Sequence, residues 1–148
     1  MEGIDFTIRA LREKTSGIIF VNLVDCDEQY GHRNDAEGYA ENLMAIDARL
    51  PEIFAAMNHW DIVMITGDHG NDPTRGLGQG WGTNHTREFV PLLIFGNPIR
   101  RGLDLGIKEM ADVGATIAHY LGFMRSPHGA SFLHQVLAWN AFSFGISS

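Results

Sequence analysis

Asp61-Ile62-Val63-Met64-Ile65-Thr66-Gly67-Asp68-His69-Gly70-Asn71-Asp72 sets a nearly unbroken apolar run against a glycine, with an acid and an imidazole directly after it. The run from 61 to 66 has strand length, is rich in β-branched residues and stops at Gly67, so it predicts a buried strand. In a sheet covered on both faces, ligands collect beyond the carboxyl ends of the strands. Asp68 and His69 stand at such an end, and glycine at 70 lets the backbone turn sharply there.

Working outward toward the amino terminus, Gly17-Ile18-Ile19-Phe20-Val21-Asn22-Leu23-Val24 has the same character and predicts a central strand. Between the two runs, Asn34-Asp35 offers N-cap residues. After them Ala36, Tyr39, Ala40, Leu43 and Leu50 recur at helical spacing, with Glu37, Glu41 and Asp47 on the other side. This predicts an amphipathic helix packed into the core, kinked at Pro51 and extended through Ile53, Phe54 and Met57. Strand, helix and strand make a βαβ unit.

Toward the carboxyl terminus, residues 73–83 hold four glycines and predict a mobile loop, with Leu77 and Trp81 as local pins. Val90 to Phe95 is a third strand, with Pro91 placed at its start or on an edge. Helices follow from Ala111 to Leu121, closing at Gly122, and from Ala130 to Val136. A further helix over Phe6, Ile8 and Leu11 ends near Ser16-Gly17, and the tail after Trp139 is expected to pack loosely. The expected fold class is therefore α/β, a layered α/β/α arrangement on a mostly parallel sheet, in one domain over 1–148.

Composition narrows the functional classes. The chain has 148 residues, 45% of them hydrophobic, enough for one ordinary core. A net charge of −7 argues against binding nucleic acid, which needs basic groups to displace counterions. Cys26 is the single cysteine, so no internal disulfide forms and a cytoplasmic setting is expected. The apolar run from 18 to 24 is far too short to cross a bilayer, so no membrane association is expected.

The chemistry gathers at strand ends. Asp25-Cys26-Asp27-Glu28-Gln29-Tyr30-Gly31-His32-Arg33 follows the first strand, and there Asp27 and His32 can share a cation. Asp68 and His69 follow the second strand, and His85 precedes the third. Carboxylate and imidazole donors without thiolate suit manganese, zinc, iron or magnesium, and five candidates exceed what one site needs, so two divalent metals are expected. Two metals about 3.5–4 Å apart serve displacement at phosphorus. Arg87 offers a planar fork to a phosphate, and equally to Glu88 or another surface acid. Met44, Met57, Met64 and Met110 read as gap-fillers, Cys26 as an inert neighbour, and His59, His119, His128 and His134 as surface or helix-end residues.

Asn22-Leu23-Val24-Asp25-Cys26-Asp27, Tyr30-Gly31-His32-Arg33, Asp68-His69-Gly70-Asn71-Asp72-Pro73-Thr74 and His85-Thr86-Arg87-Glu88 together resemble the motifs of phosphopentomutases, members of the alkaline phosphatase superfamily. The resemblance runs from about Gly3 to Leu137 and includes Ala111-Asp112-Val113-Gly114-Ala115-Thr116 and Gly129-Ala130-Ser131-Phe132. It implies an alkaline phosphatase-like core in which Asp27, His32 and His85 hold one metal, usually manganese, and Asp68 and His69 hold the second. It further implies a pentose phosphate substrate, moved between the 1- and 5-positions through a phosphorylated threonine.

That threonine, an amino-terminal aspartate ligand and the cap domain of the family have no counterpart among these motifs. The sequence resembles the carboxy-terminal part of such an enzyme, and alone it is expected to be inactive and open to self-association through uncovered surfaces. Asn84 also stands where the family pattern has aspartate, and the glycine-rich stretch before His85 is longer than usual. A metal-dependent phosphatase or phosphodiesterase of the same superfamily, or a non-catalytic module binding metal or phosphate, are the competing readings.

Overall fold

The structure is a computed structural model that describes residues 2–13, 16–74, 82–123 and 126–138. In chain order it holds α1 (Glu2–Arg12), a single π-helical turn (Cys26–Tyr30) running into a 3-10 turn (Gly31–Arg33), α2 (Ala36–Ala56), β1 (Val63–Thr66), β2 (Leu92–Phe95), α3 (Met110–Tyr120) and α4 (Leu133–Val136). The chain divides into two compact units, Met1–Asn58 with Ile65–Leu93, and His59–Met64 with Ile94–Ser148.

β1 and β2 pair as a two-stranded sheet. They run antiparallel: beyond the end of β1 Gly67 lies against Val90, while before its start Asp61 lies against Gly96. A bridge between Gly70 and Thr86 continues the same antiparallel sense. Pro91, which has no N–H to give a ladder, comes immediately before β2 as the sequence suggested.

In the first unit, α1 buries Ile4 and Ile8, and α2 buries Ile53. Acidic residues fill the first turn of α1 and Arg9 and Arg12 its last, complementing the helix dipole. Arg49 of α2 donates to Asp5 of α1 at 2.8 Å and also pairs with Glu52. Asp35 caps α2 by accepting from the Gly38 N–H at 2.9 Å, and Pro51 lies within the helix.

Two expectations fail in this unit. Residues 17–24 form no strand. Val21 and Leu23 lie against Gly3 of α1, yet Phe20 is 87% exposed and Ile18 61%. A run of this composition becomes a strand only when neighbouring strands take its backbone groups, and among the described residues none does. The α2 stripe is likewise not a core stripe: Ala36, Ala40 and Leu43 are exposed, Tyr39 and Leu50 only half-buried. Met44 and Met110 are exposed too and fill no gap. The glycine-rich loop falls mostly, and the tail after Trp139 wholly, outside the described residues.

The second unit is clamped between α3 and α4. Asp112 accepts from the Glu109 N–H at 3.0 Å, closing the first turn of α3, and from the Ala130 N–H at 2.7 Å. Thr116, fully buried, donates to the Asp112 carbonyl and accepts from the Phe132 N–H. Phe132, Leu133 and Val136 bury against these groups. Gly129 has a φ of 76° and abuts the Ala111 backbone, where no side chain fits. The two motifs near 111–116 and 129–132 are thus halves of one structural clamp.

Candidate metal centre

Three chain segments of the first unit meet at the centre. The π-helical turn carries Asp27, the 3-10 turn His32, the loop after β1 Asp68 and His69, and the return toward β2 His85. The Gly70–Thr86 bridge joins the last two segments, with Gly70 N–H donating to Thr86 O and Thr86 N–H to Gly70 O at 2.8 Å. Thr86 Oγ1 also accepts from the Asp72 N–H, and the Asp72 carboxylate turns back on Thr74. Asn34, at a left-handed φ of 54°, sets its side-chain amide against the carbonyls of Pro73 and Gly82, and the amide orientation that satisfies both puts its nitrogen 3.2 Å from each.

Asp27 Oδ2, His32 Nε2 and His85 Nε2 form a triangle with edges of 3.2, 3.4 and 3.3 Å. Donors about 2.0–2.1 Å from a tetrahedral ion stand about 3.3–3.4 Å apart, so the triangle has the span of three ligands on one cation. The tautomers agree. His32 Nδ1 lies 2.7 Å from the Thr83 carbonyl and His69 Nδ1 3.2 Å from that of Gly70. A carbonyl only accepts, so each Nδ1 carries a proton, and Nε2 is the ring nitrogen left to ligate.

His69 stacks on His85 with ring centroids 3.5 Å apart, and its Nε2 is 3.5 Å from Asp68 Oδ1. A wider grouping of Asp27, His69 and His85 spans 4.8 Å. The triangle with His32 shares the Asp27–His85 edge with that grouping and has no edge longer than 3.4 Å, with His69 and Asp68 as an adjoining pair. All five candidates from the sequence therefore lie at one place, His85 included despite the preceding Asn84. Asp68 is 83% exposed and Arg87 is exposed, so this edge faces solvent.

Sequence reading missed several neighbours. Tyr39, assigned to a packing stripe, is half-buried, and burial first, then the charges of Cys26, Asp27 and Asp68, raise the pKa of its phenol. Cys26 accepts from Asn42 Nδ2 at 3.1 Å. A tyrosine on an apolar stripe was the available signal, since a half-buried phenol seeks a polar neighbour.

No helix among the described residues is long and apolar enough to cross a membrane. The chain is 48% identical over 133 residues to a phosphopentomutase of Clostridioides difficile, a match covering 89% of this chain and 33% of that protein. A phosphopentomutase of Desulfitobacterium hafniense is 48% identical over 137 residues (92% and 34%), and one of Symbiobacterium thermophilum 46% over 136 (91% and 33%). The chain thus spans about a third of the length of these relatives. Residues 1–125 match the metalloenzyme superfamily, a stretch that holds all three corners of the triangle, and the chain belongs to that superfamily.

Proposed function

We propose that this chain supplies metal-holding groups for a phosphopentomutase-type reaction, the interconversion of ribose or deoxyribose 1-phosphate and 5-phosphate. The observation that carries the reading is the Asp27–His32–His85 triangle, already at ligand spacing with His32 Nδ1 held by Thr83 and its Nε2 left to ligate. Similarity to phosphopentomutases supplies the substrate class. Asp27, His32 and His85 would hold one divalent ion and Asp68 with His69 would contribute to a second. Bound there, the ions would offset negative charge on a phosphoryl group in transfer.

Two imidazoles in the triangle favour manganese or zinc over magnesium, which prefers oxygen. Arg87 would hold a substrate phosphate through its fork. The layered, mostly parallel core of the alkaline phosphatase type belongs to the same reading, with residues 17–24 taking strand form where neighbouring strands cover them. A cytoplasmic location fits a chain with one cysteine.

Titration of the chain with manganese and with zinc, native against an Asp27→Ala, His85→Ala double variant, tests the centre. The native chain should bind at least one equivalent and the variant one fewer; absence of binding by the native chain would sink the reading. Residues 1–148 alone should not convert ribose 1-phosphate, because the phosphorylated threonine that the family resemblance implies for the covalent route has no counterpart among the motifs. Measurable mutase turnover by this chain would refute that part.

A further inference from the structure

Two buried polar atoms at the centre have no hydrogen-bond partner among the described residues: Asp27 Oδ1 and Asn71 Nδ2. They are chemically complementary, since a carboxylate oxygen accepts and a primary amide nitrogen donates. They are also neighbours across Gly31. A β-carbon on Gly31 would stand 2.6 Å from Asn71 Nδ2 and 3.2 Å from Asp27 Oδ1. Gly31 itself is right-handed helical (φ −59°, ψ −56°), a conformation open to any L-residue. Glycine therefore serves space here rather than backbone freedom: it leaves room for the amide to approach the carboxylate. The two oxygens of Asp27 then divide their tasks, Oδ2 facing His32 and His85 and Oδ1 facing Gly31 and Asn71.

We propose that Asn71 is a positioning residue for Asp27, its amide donating to Oδ1 and fixing the carboxylate plane so that Oδ2 stays aimed at the two imidazoles. The inference rests on the metal-centre reading above. Turning the amide about its Cβ–Cγ bond changes the direction of its N–H groups without moving the backbone, and the gap at Gly31 permits it. The bond forms with a cation in place on Oδ2, so it adds to metal affinity and not to the stability of the metal-free chain, in which neither atom is paired with the other. Removing such an outer partner typically costs about 10–100-fold in metal affinity.

Asn71→Leu removes the donor at nearly constant volume and separates this role from a structural one. Because Nδ2 has no partner among the described residues, its loss relieves a buried unsatisfied donor, and the thermal midpoint measured in chelator should hold or rise. Manganese affinity of the full 148-residue chain, read by calorimetric titration, should fall about 10–100-fold. Should the leucine variant fail to fold, Asn71→Ala tests the same loss of donor without added bulk. Unchanged manganese affinity would overturn the proposal, as would a lowered midpoint in chelator, the mark of a residue that merely holds the fold. A native chain that binds no manganese overturns the metal-centre reading itself, a result visible before any variant is made.

Discussion

Thr116 is the one fully buried polar side chain among the described residues, and its hydroxyl is used in both directions. It donates to the Asp112 carbonyl at 2.7 Å and accepts from the Phe132 N–H at 3.0 Å. Thr116→Val keeps the shape and leaves that N–H in a buried site without an acceptor, which costs about 1–3 kcal/mol. The urea midpoint should fall by the corresponding amount with the slope unchanged; a midpoint within error of the native chain would show that Phe132 finds another acceptor. Residues of this kind separate what was legible from what was not. Asp27, His32, Asp68, His69 and His85 announce themselves because acid and imidazole recur at successive apolar-run boundaries. Asn71 and Thr83 do not. An asparagine in a turn-rich stretch reads as a turn former, and a backbone carbonyl that fixes the His32 tautomer across 51 positions leaves no trace in side-chain chemistry.

Elements were legible where the local pattern suffices to make them. α2 begins at Asp35, one of the two caps offered, while its neighbour Asn34 takes the left-handed turn that asparagine tolerates. β1 and β2 lie inside the apolar runs that predicted them. Residues 17–24 share that composition and form no strand, because β propensity describes a fit to neighbours and not a preference of the backbone alone. The antiparallel turn of β1 onto β2 was equally unreadable, since 25 residues separate the strands and hairpin chemistry is confined to short loops. α3 carries a prediction at this scale. Two backbone N–H groups, first that of Ala130 and then that of Glu109, hold the Asp112 carboxyl below its ordinary pKa of about 3.9. The folded value is depressed, so the stabilisation is complete above about pH 3.9 and disappears as pH falls through the lower folded value. Asp112→Asn, which keeps one acceptor of two, should lower the thermal midpoint at pH 6, and the gap from the native chain should narrow as pH falls below about 3.9. A gap that persists undiminished at the acid end would refute the charge-assisted cap.

At the scale of the whole molecule, the net charge of −7 and the uncovered apolar residues pull in opposite directions. In the first unit Phe20 is 87% exposed, Met44 72% and Ile18 61%, more than a monomer ordinarily leaves open along one short segment and one helix. Copies of the chain should associate through this apolar surface while their like charges resist. Salt acts on the two terms unequally: the screening length shrinks from about 30 Å at 0.01 M to about 3 Å at 1 M, which removes repulsion and leaves apolar burial in place. Sedimentation velocity should therefore show the apparent mass rising with ionic strength, the opposite of what a complex held by ion pairs would do. Phe20→Glu adds to the negative charge of the chain where the most exposed ring among the described residues stands, at a position that is none of the candidate ligands. It should shift the distribution toward monomer at every salt concentration while the manganese titration stays unchanged. A native chain that remains monomeric from low to high salt would show that these side chains are tolerated singly by water and form no adhesive surface.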